Sequence, residues 1–150
     1  SLFYLLRSLG LVKSKMMDTK ERKLPLAIYA LLLLFLIKFS FSIFVIPELY
    51  YYFVGILISV ISALALLLLG HKASLHMVAI TSLTLFVISI SANYHIRFLN
   101  LIAFFVICCG VVGSSRLQAR AHSFGEVVLG ALIGIIPQVG LWYFWLLPSL

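Results

Sequence analysis

"YYYFVGILISVISALALLLLGHKASLHMVAITSLTLFVISISAN", residues 50–93, decides the fold. Two apolar runs, 50–69 and 74–93, flank a short break holding His71 and Lys72. Each run reaches the roughly 20 residues that a helix needs to cross a bilayer. The stretch therefore reads as two spanning helices joined by a polar turn at one membrane face. Working outward, the same pattern recurs at 25–46, 98–113 and 123–146. The composition agrees: 64% of residues are hydrophobic and only 10% charged, against about 25% charged in a soluble domain. Mean hydropathy is +1.22. The expectation is an all-α, polytopic membrane helix bundle of about five spanning helices, forming a single domain over residues 1–150.

Residues 1–12, "SLFYLLRSLGLV", are apolar but short and carry Arg7. They read as a short N-terminal interfacial helix or as the tail of a span lost upstream. A signal peptide does not fit, because a charged stretch follows where a small-residue cleavage site belongs. Cys108 and Cys109 are adjacent inside a span, where burial as small apolar groups is the default. The formal net charge is +7. With no soluble surface to hold a duplex, nucleic acid is excluded as a partner, and the expected anions are lipid headgroups or phosphates.

The polar residues fall into three clusters: "KSKMMDTKERKLP" at 13–25, "GHKASLH" at 70–76 and "SSRLQARAHSFGE" at 114–126. Two spans separate each cluster from the next, and two spans return a chain to the side it left. All three clusters are thus expected at one membrane face. The opposite face carries "IPELYYYF" at 46–53, "ANYHIRF" at 92–98 and the exit "LWYFWLLP" at 141–148. Tyr50, Tyr51, Tyr52, Trp142 and Trp145 would form one aromatic belt there. Lys38 interrupts the first span about 12 Å at helical rise from the Tyr-rich turn. It reads as a snorkelling lysine, with a cavity lysine as the other reading.

In the third cluster His122 and Glu126 are four apart, a spacing at which helical side chains touch. Arg116 is off that face, so the chain must turn and a helix must begin near His122 or Ser123. A helix N-terminus beside an arginine suits an anion. A histidine held by a carboxylate there suits nucleophilic or acid–base work. "SFGE", 123–126, is equally a capping box in which Ser123 caps and Glu126 reaches back. Likewise "KASLH" alone reads as a solvated turn, and the first cluster alone as a juxtamembrane basic loop.

Taken together, the clusters resemble the three signatures of the type 2 phosphatidic acid phosphatase superfamily, integral membrane lipid phosphatases. The third signature is Ser-Arg, five residues, His, three residues, Asp. Ser115, Arg116, His122 and Glu126 match it, with Glu for Asp. "ASLH", 73–76, resembles the second, Pro-Ser-Gly-His, at Ser74 and His76. Lys15 and Arg22 reproduce the spacing of the first, Lys, six residues, Arg-Pro, with Pro25 displaced and Lys13 or Lys20 as alternatives to Lys15. Ala73 and Leu75 replace the second signature's Pro and Gly.

The resemblance implies a metal-independent hydrolase of a lipid phosphate or lipid diphosphate, with no cofactor. His122 would attack phosphorus, Glu126 would orient it, and His76 would protonate the leaving oxygen and then activate water. Arg116, Arg22, Lys15 and Ser74 would hold the phosphate, with Lys72 adding charge. Arg120 reads either as an assistant or as an interface cation, and His71 and His95 as bystanders. The family usually has six spans, which fits loss of an N-terminal helix from a chain with five. It also implies an integral membrane location, in a bacterial inner membrane with the site facing the periplasm or exterior. The positive-inside rule instead puts the Lys/Arg-rich face in the cytoplasm. Two other readings are a zinc hydrolase with His76, His122 and Glu126 as ligands, and a non-catalytic binder of anionic lipid.

Overall fold

A computed structural model describes residues 19–40 and 45–150 of the chain. The expected helix at 1–12, Lys13 and Lys15 lie outside the described residues. Five helices follow in order: α1 (Thr19–Ser40), α2 (Pro47–Leu68), α3 (Leu75–Asn93), α4 (Leu99–Gln118) and α5 (Phe124–Trp145). A short 3-10 turn, Leu147–Ser149, closes the chain, and no strand occurs among the described residues. Helices α2 to α5 are each long and apolar enough to cross a membrane. The protein is therefore an all-α integral membrane helix bundle.

The helix ends depart from the apolar runs. α1 begins at Thr19 rather than 25, and α4 continues to Gln118 rather than 113. Hydropathy locates the hydrocarbon, whereas a helix continues into the interface, where water still solvates Lys and Arg side chains. Three helices end in the same way, with a left-handed residue just past the cap. Gly70 (φ 87), His95 (φ 55) and Arg120 (φ 51) hold these positions. In each case two backbone bonds close the turn, for example His71 N–H to Leu66 O (2.9 Å) and Gly70 N–H to Leu67 O (3.1 Å).

α5 is the centre of the bundle, packed against α3 and α2, while α4 lies along α3 and α1 along α2. Lipid tails are as apolar as leucine, so close backbone approach and hydrogen bonds must hold such helices together. Gly130 and Gly134 provide that approach. A Cβ on Gly130 would stand 2.5 Å from the Ser74 carbonyl oxygen, and one on Gly134 would stand 2.8 Å from that of Val78. Gly55 similarly admits Gln138, whose amide donates to Tyr52 O at 3.0 Å.

Pro137 lies inside α5 and has no N–H for the carbonyl four residues back, that of Ile133. The Ser59 hydroxyl of α2 donates to that carbonyl at 2.8 Å. The next carbonyl, Gly134 O, accepts from Ser82 of α3 at 3.2 Å. Both serines are fully buried. A membrane leaves no water to satisfy a freed carbonyl, so Ser59 supplies the donor that Pro137 lacks.

At one end of the bundle, residues expected in the aromatic belt meet. Tyr51 stacks on Trp145 with ring centroids 6.2 Å apart, and Tyr52 packs against Phe86 at 4.5 Å. Glu48, buried in the first turn of α2, accepts from Tyr94 Oη (2.7 Å) and Asn93 Nδ2 (3.1 Å) at the end of α3. The Ser149 hydroxyl donates to Asn93 Oδ1 at 2.8 Å. This polar clasp ties three element ends together at the face opposite the basic clusters. The Tyr94 hydroxyl is pushed above its ordinary pKa, first by its hydrogen bond to Glu48 and then by that carboxylate's charge.

Candidate functional site

At the other end, helix termini converge. A Cβ on Gly113 of α4 would stand 3.6 Å from both Met77 Sδ of α3 and Val127 Cγ1 of α5. These three residues form one level where the start of α3, the end of α4 and the start of α5 meet. One step further out the chain changes direction in all three. There Ser74 N–H donates to Glu126 O at 3.1 Å, which joins the second polar cluster directly to the third. The first cluster approaches through α1, because Leu26 lines a small apolar crevice with Leu67, Ala73 and Leu75. Arg22 lies one helical turn before Leu26 on the backbone of α1.

The third cluster folds as its spacing suggests. α4 ends at Gln118, Arg120 takes the left-handed position, and α5 begins after the N-cap Ser123. His122 therefore sits just outside α5, and its contact with Glu126 crosses the helix start. His122 Nδ1 lies 2.8 Å from Glu126 Oε2. The His122 side chain is 6% exposed and that of Glu126 29%. The same Oε2 accepts from Ser123 N–H at 3.3 Å, and Ser123 Oγ accepts from Glu126 N–H at 3.3 Å. One carboxylate oxygen thus closes the capping box and bonds the His122 ring. An ionised carboxylate only accepts, so Nδ1 carries the proton, and in the neutral ring Nε2 keeps its lone pair.

Ser74 is the N-cap of α3, yet its side chain makes no capping bond. Its hydroxyl is fully buried and has no hydrogen-bond partner among the described residues. Burying a hydroxyl without a partner costs on the order of 1–3 kcal/mol, so a buried donor is kept here at some expense. Gly130 fixes the position, since any side chain there would strike the Ser74 backbone. Arg116 stands in the last turn of α4, one turn beyond Gly113, half-buried, with Nη2 donating to Ser115 Oγ at 3.4 Å.

A cavity of about 460 Å³ with a mixed polar and apolar wall opens beside Glu126. Lys72, His71, Ser123, Gly125 and Glu126 line it. His71 reads from sequence as a bystander, but the left-handed Gly70 turns it onto this wall together with Lys72. The signal was the glycine directly before it, at the end of an apolar run. His76 is exposed in the first turn of α3, level with the end of α4, and is outside the described lining of this cavity. His95 is at the opposite end, closing α3. Lys38 is exposed in the last turn of α1, its ammonium 5.7 Å from the Phe39 ring centroid. Among the described residues, no three His, Cys, Asp or Glu side chains come together as metal ligands, so His76 does not join His122 and Glu126 in the set that the zinc reading requires.

Comparison with protein-family models, with curated proteins and with solved structures gave no match for this chain.

Proposed function

We propose that this protein is a membrane phosphatase that hydrolyses a lipid phosphate or lipid diphosphate through a phosphohistidine. The observation that carries the reading is the His122–Glu126 bond at the junction of three helix ends. It engages Nδ1 and so leaves Nε2 as the nitrogen for phosphorus, and the Ser74 N–H to Glu126 O bond ties the second cluster to this pair. In the first step Nε2 bonds to phosphorus as the bond from phosphorus to the lipid-side oxygen breaks. His76 gives that oxygen its proton. Glu126 stabilises the positive charge that develops on the His122 ring. In the second step His76 takes a proton from water, the water oxygen bonds to phosphorus, and the P–N bond breaks to release phosphate.

Arg116 and Ser74, with Arg22 and Lys15 from the first cluster, supply positive charge and donors to the equatorial oxygens. Such positioning and charge stabilisation is most of what phosphoryl transfer asks of a protein. The site is assigned to the periplasmic or exterior face of a bacterial inner membrane. Its cations serve the phosphate and so do not count as topology signals in the usual way.

A non-catalytic lipid-binding role is the second reading, and the low exposure of the His122 ring favours it. The test is phosphate release from phosphatidate and from a prenyl diphosphate in mixed micelles, with acid-labile label trapped on the chain. The phosphatase reading expects turnover and trapped label in wild type, and neither in a folded His122→Ala protein. Vesicle binding without turnover in either protein would leave the binder.

A further inference from the structure

The cavity beside Glu126 is larger than one phosphate needs. At about 460 Å³ it lies within the range of sites that hold whole ligands. Of the charged side chains on its described wall, Glu126 is engaged by His122 and by the Ser123 N–H. That leaves Lys72, with the His71 imidazole beside it, facing the cavity from the turn after α2. Neither belongs to the residues that hold the reacting phosphate by motif spacing alone: His71 lies outside all three signatures, and Lys72 precedes the second.

We infer that His71 and Lys72 form a second anion subsite next to the His122–Glu126 pair, selecting a lipid diphosphate over a lipid monophosphate. The inference rests on the phosphatase reading and narrows its substrate class. The terminal phosphate is the one attacked. The lipid-side phosphate leaves as a monophosphate ester, and the Lys72 ammonium and the His71 N–H donate to its oxygens as its charge grows. A monophosphate has no group to place there and gains nothing from either residue.

The test measures kcat/KM of the full chain in mixed micelles for farnesyl diphosphate and farnesyl monophosphate. Wild type, His71→Ala, Lys72→Ala and Lys72→Arg are compared. Wild type should prefer the diphosphate. Each alanine variant should lower the ratio of diphosphate to monophosphate kcat/KM by about tenfold to a hundredfold, the span expected for a lost charge-assisted hydrogen bond. Lys72→Arg should keep most of the ratio. A ratio unchanged in both alanine variants overturns the subsite. A parallel arm titrates inorganic pyrophosphate and inorganic phosphate into the detergent-solubilised protein by calorimetry. Pyrophosphate should bind more tightly than phosphate, and only that difference should vanish in His71→Ala. If neither lipid is hydrolysed but the difference is present and lost in the variant, the phosphatase reading fails and the subsite stands. If pyrophosphate and phosphate bind alike, the subsite fails whatever the turnover.

Discussion

Glu126 uses one oxygen for two tasks, and the tasks separate on substitution. Glu126→Gln keeps an acceptor for the Ser123 N–H, so the start of α5 remains capped. The amide lacks the charge that stabilises a positively charged His122 ring, and its NH2 group competes for the same space. The expected outcome is a melting temperature in detergent close to wild type with phosphate release lowered about 100-fold, the scale of a lost acid–base or orienting group. Glu126→Ala should lose both, adding about 1 kcal/mol of helix destabilisation from the missing cap. Full activity in Glu126→Gln, by malachite-green assay, would retire the orienting role. The pair itself was legible in the sequence, since a spacing of four at a predicted helix start puts two side chains in reach. That His122 sits before the cap, with Oε2 shared, was not legible, because a boundary shift of one residue decides it.

At the scale of elements, the carbonyl that Pro137 leaves open in α5 depends on a residue that lies far away in sequence. Ser59 is 74 positions from the carbonyl it serves. Ser59→Ala should leave Ile133 O without a partner in a water-free interior and cost about 1–2 kcal/mol. Pro137→Ala restores the α5 N–H that this carbonyl lacks. The double variant should therefore lose less stability than the sum of the two single changes, and unfolding in a denaturing detergent series measures the coupling. Strict additivity would show that the serine and proline are independent. Hydropathy gave the helices, because each apolar run is long enough to require one. It could not give Ser59–Ile133, Ser82–Gly134 or Gln138–Tyr52, since those depend on how helices are rotated about their own axes. The same limit hid the cavity wall: Lys72 was readable as a cation at the right end, but His71 facing Glu126 follows from the left-handed Gly70 and the docking of α2 on α5.

For the molecule as a whole, the two ends differ in chemistry, and pH can address one without the other. The Tyr94–Glu48 bond needs the phenol proton, and the folded state raises the Tyr94 pKa. Its contribution to stability is therefore complete below the ordinary tyrosine value of about 10 and is lost as pH rises through the folded value. Tyr94→Phe should lower thermal stability at neutral pH and flatten its fall above about pH 10, as read by melting curves across alkaline buffers. An unchanged alkaline limb would assign that loss to other groups. The central position of α5 has a consequence for how the chain is made. It follows α2 and α3 in the sequence, yet both use it as their shared seat. Before α5 docks, Ser82 lacks Gly134 O, Ser59 has only Gly55 O of its own helix, and Ser74 N–H lacks Glu126 O. Without α5, the facing sides of α2 and α3 expose these polar groups as an open seam. Docking of α5 therefore closes the polar seam and joins the second and third clusters in one step.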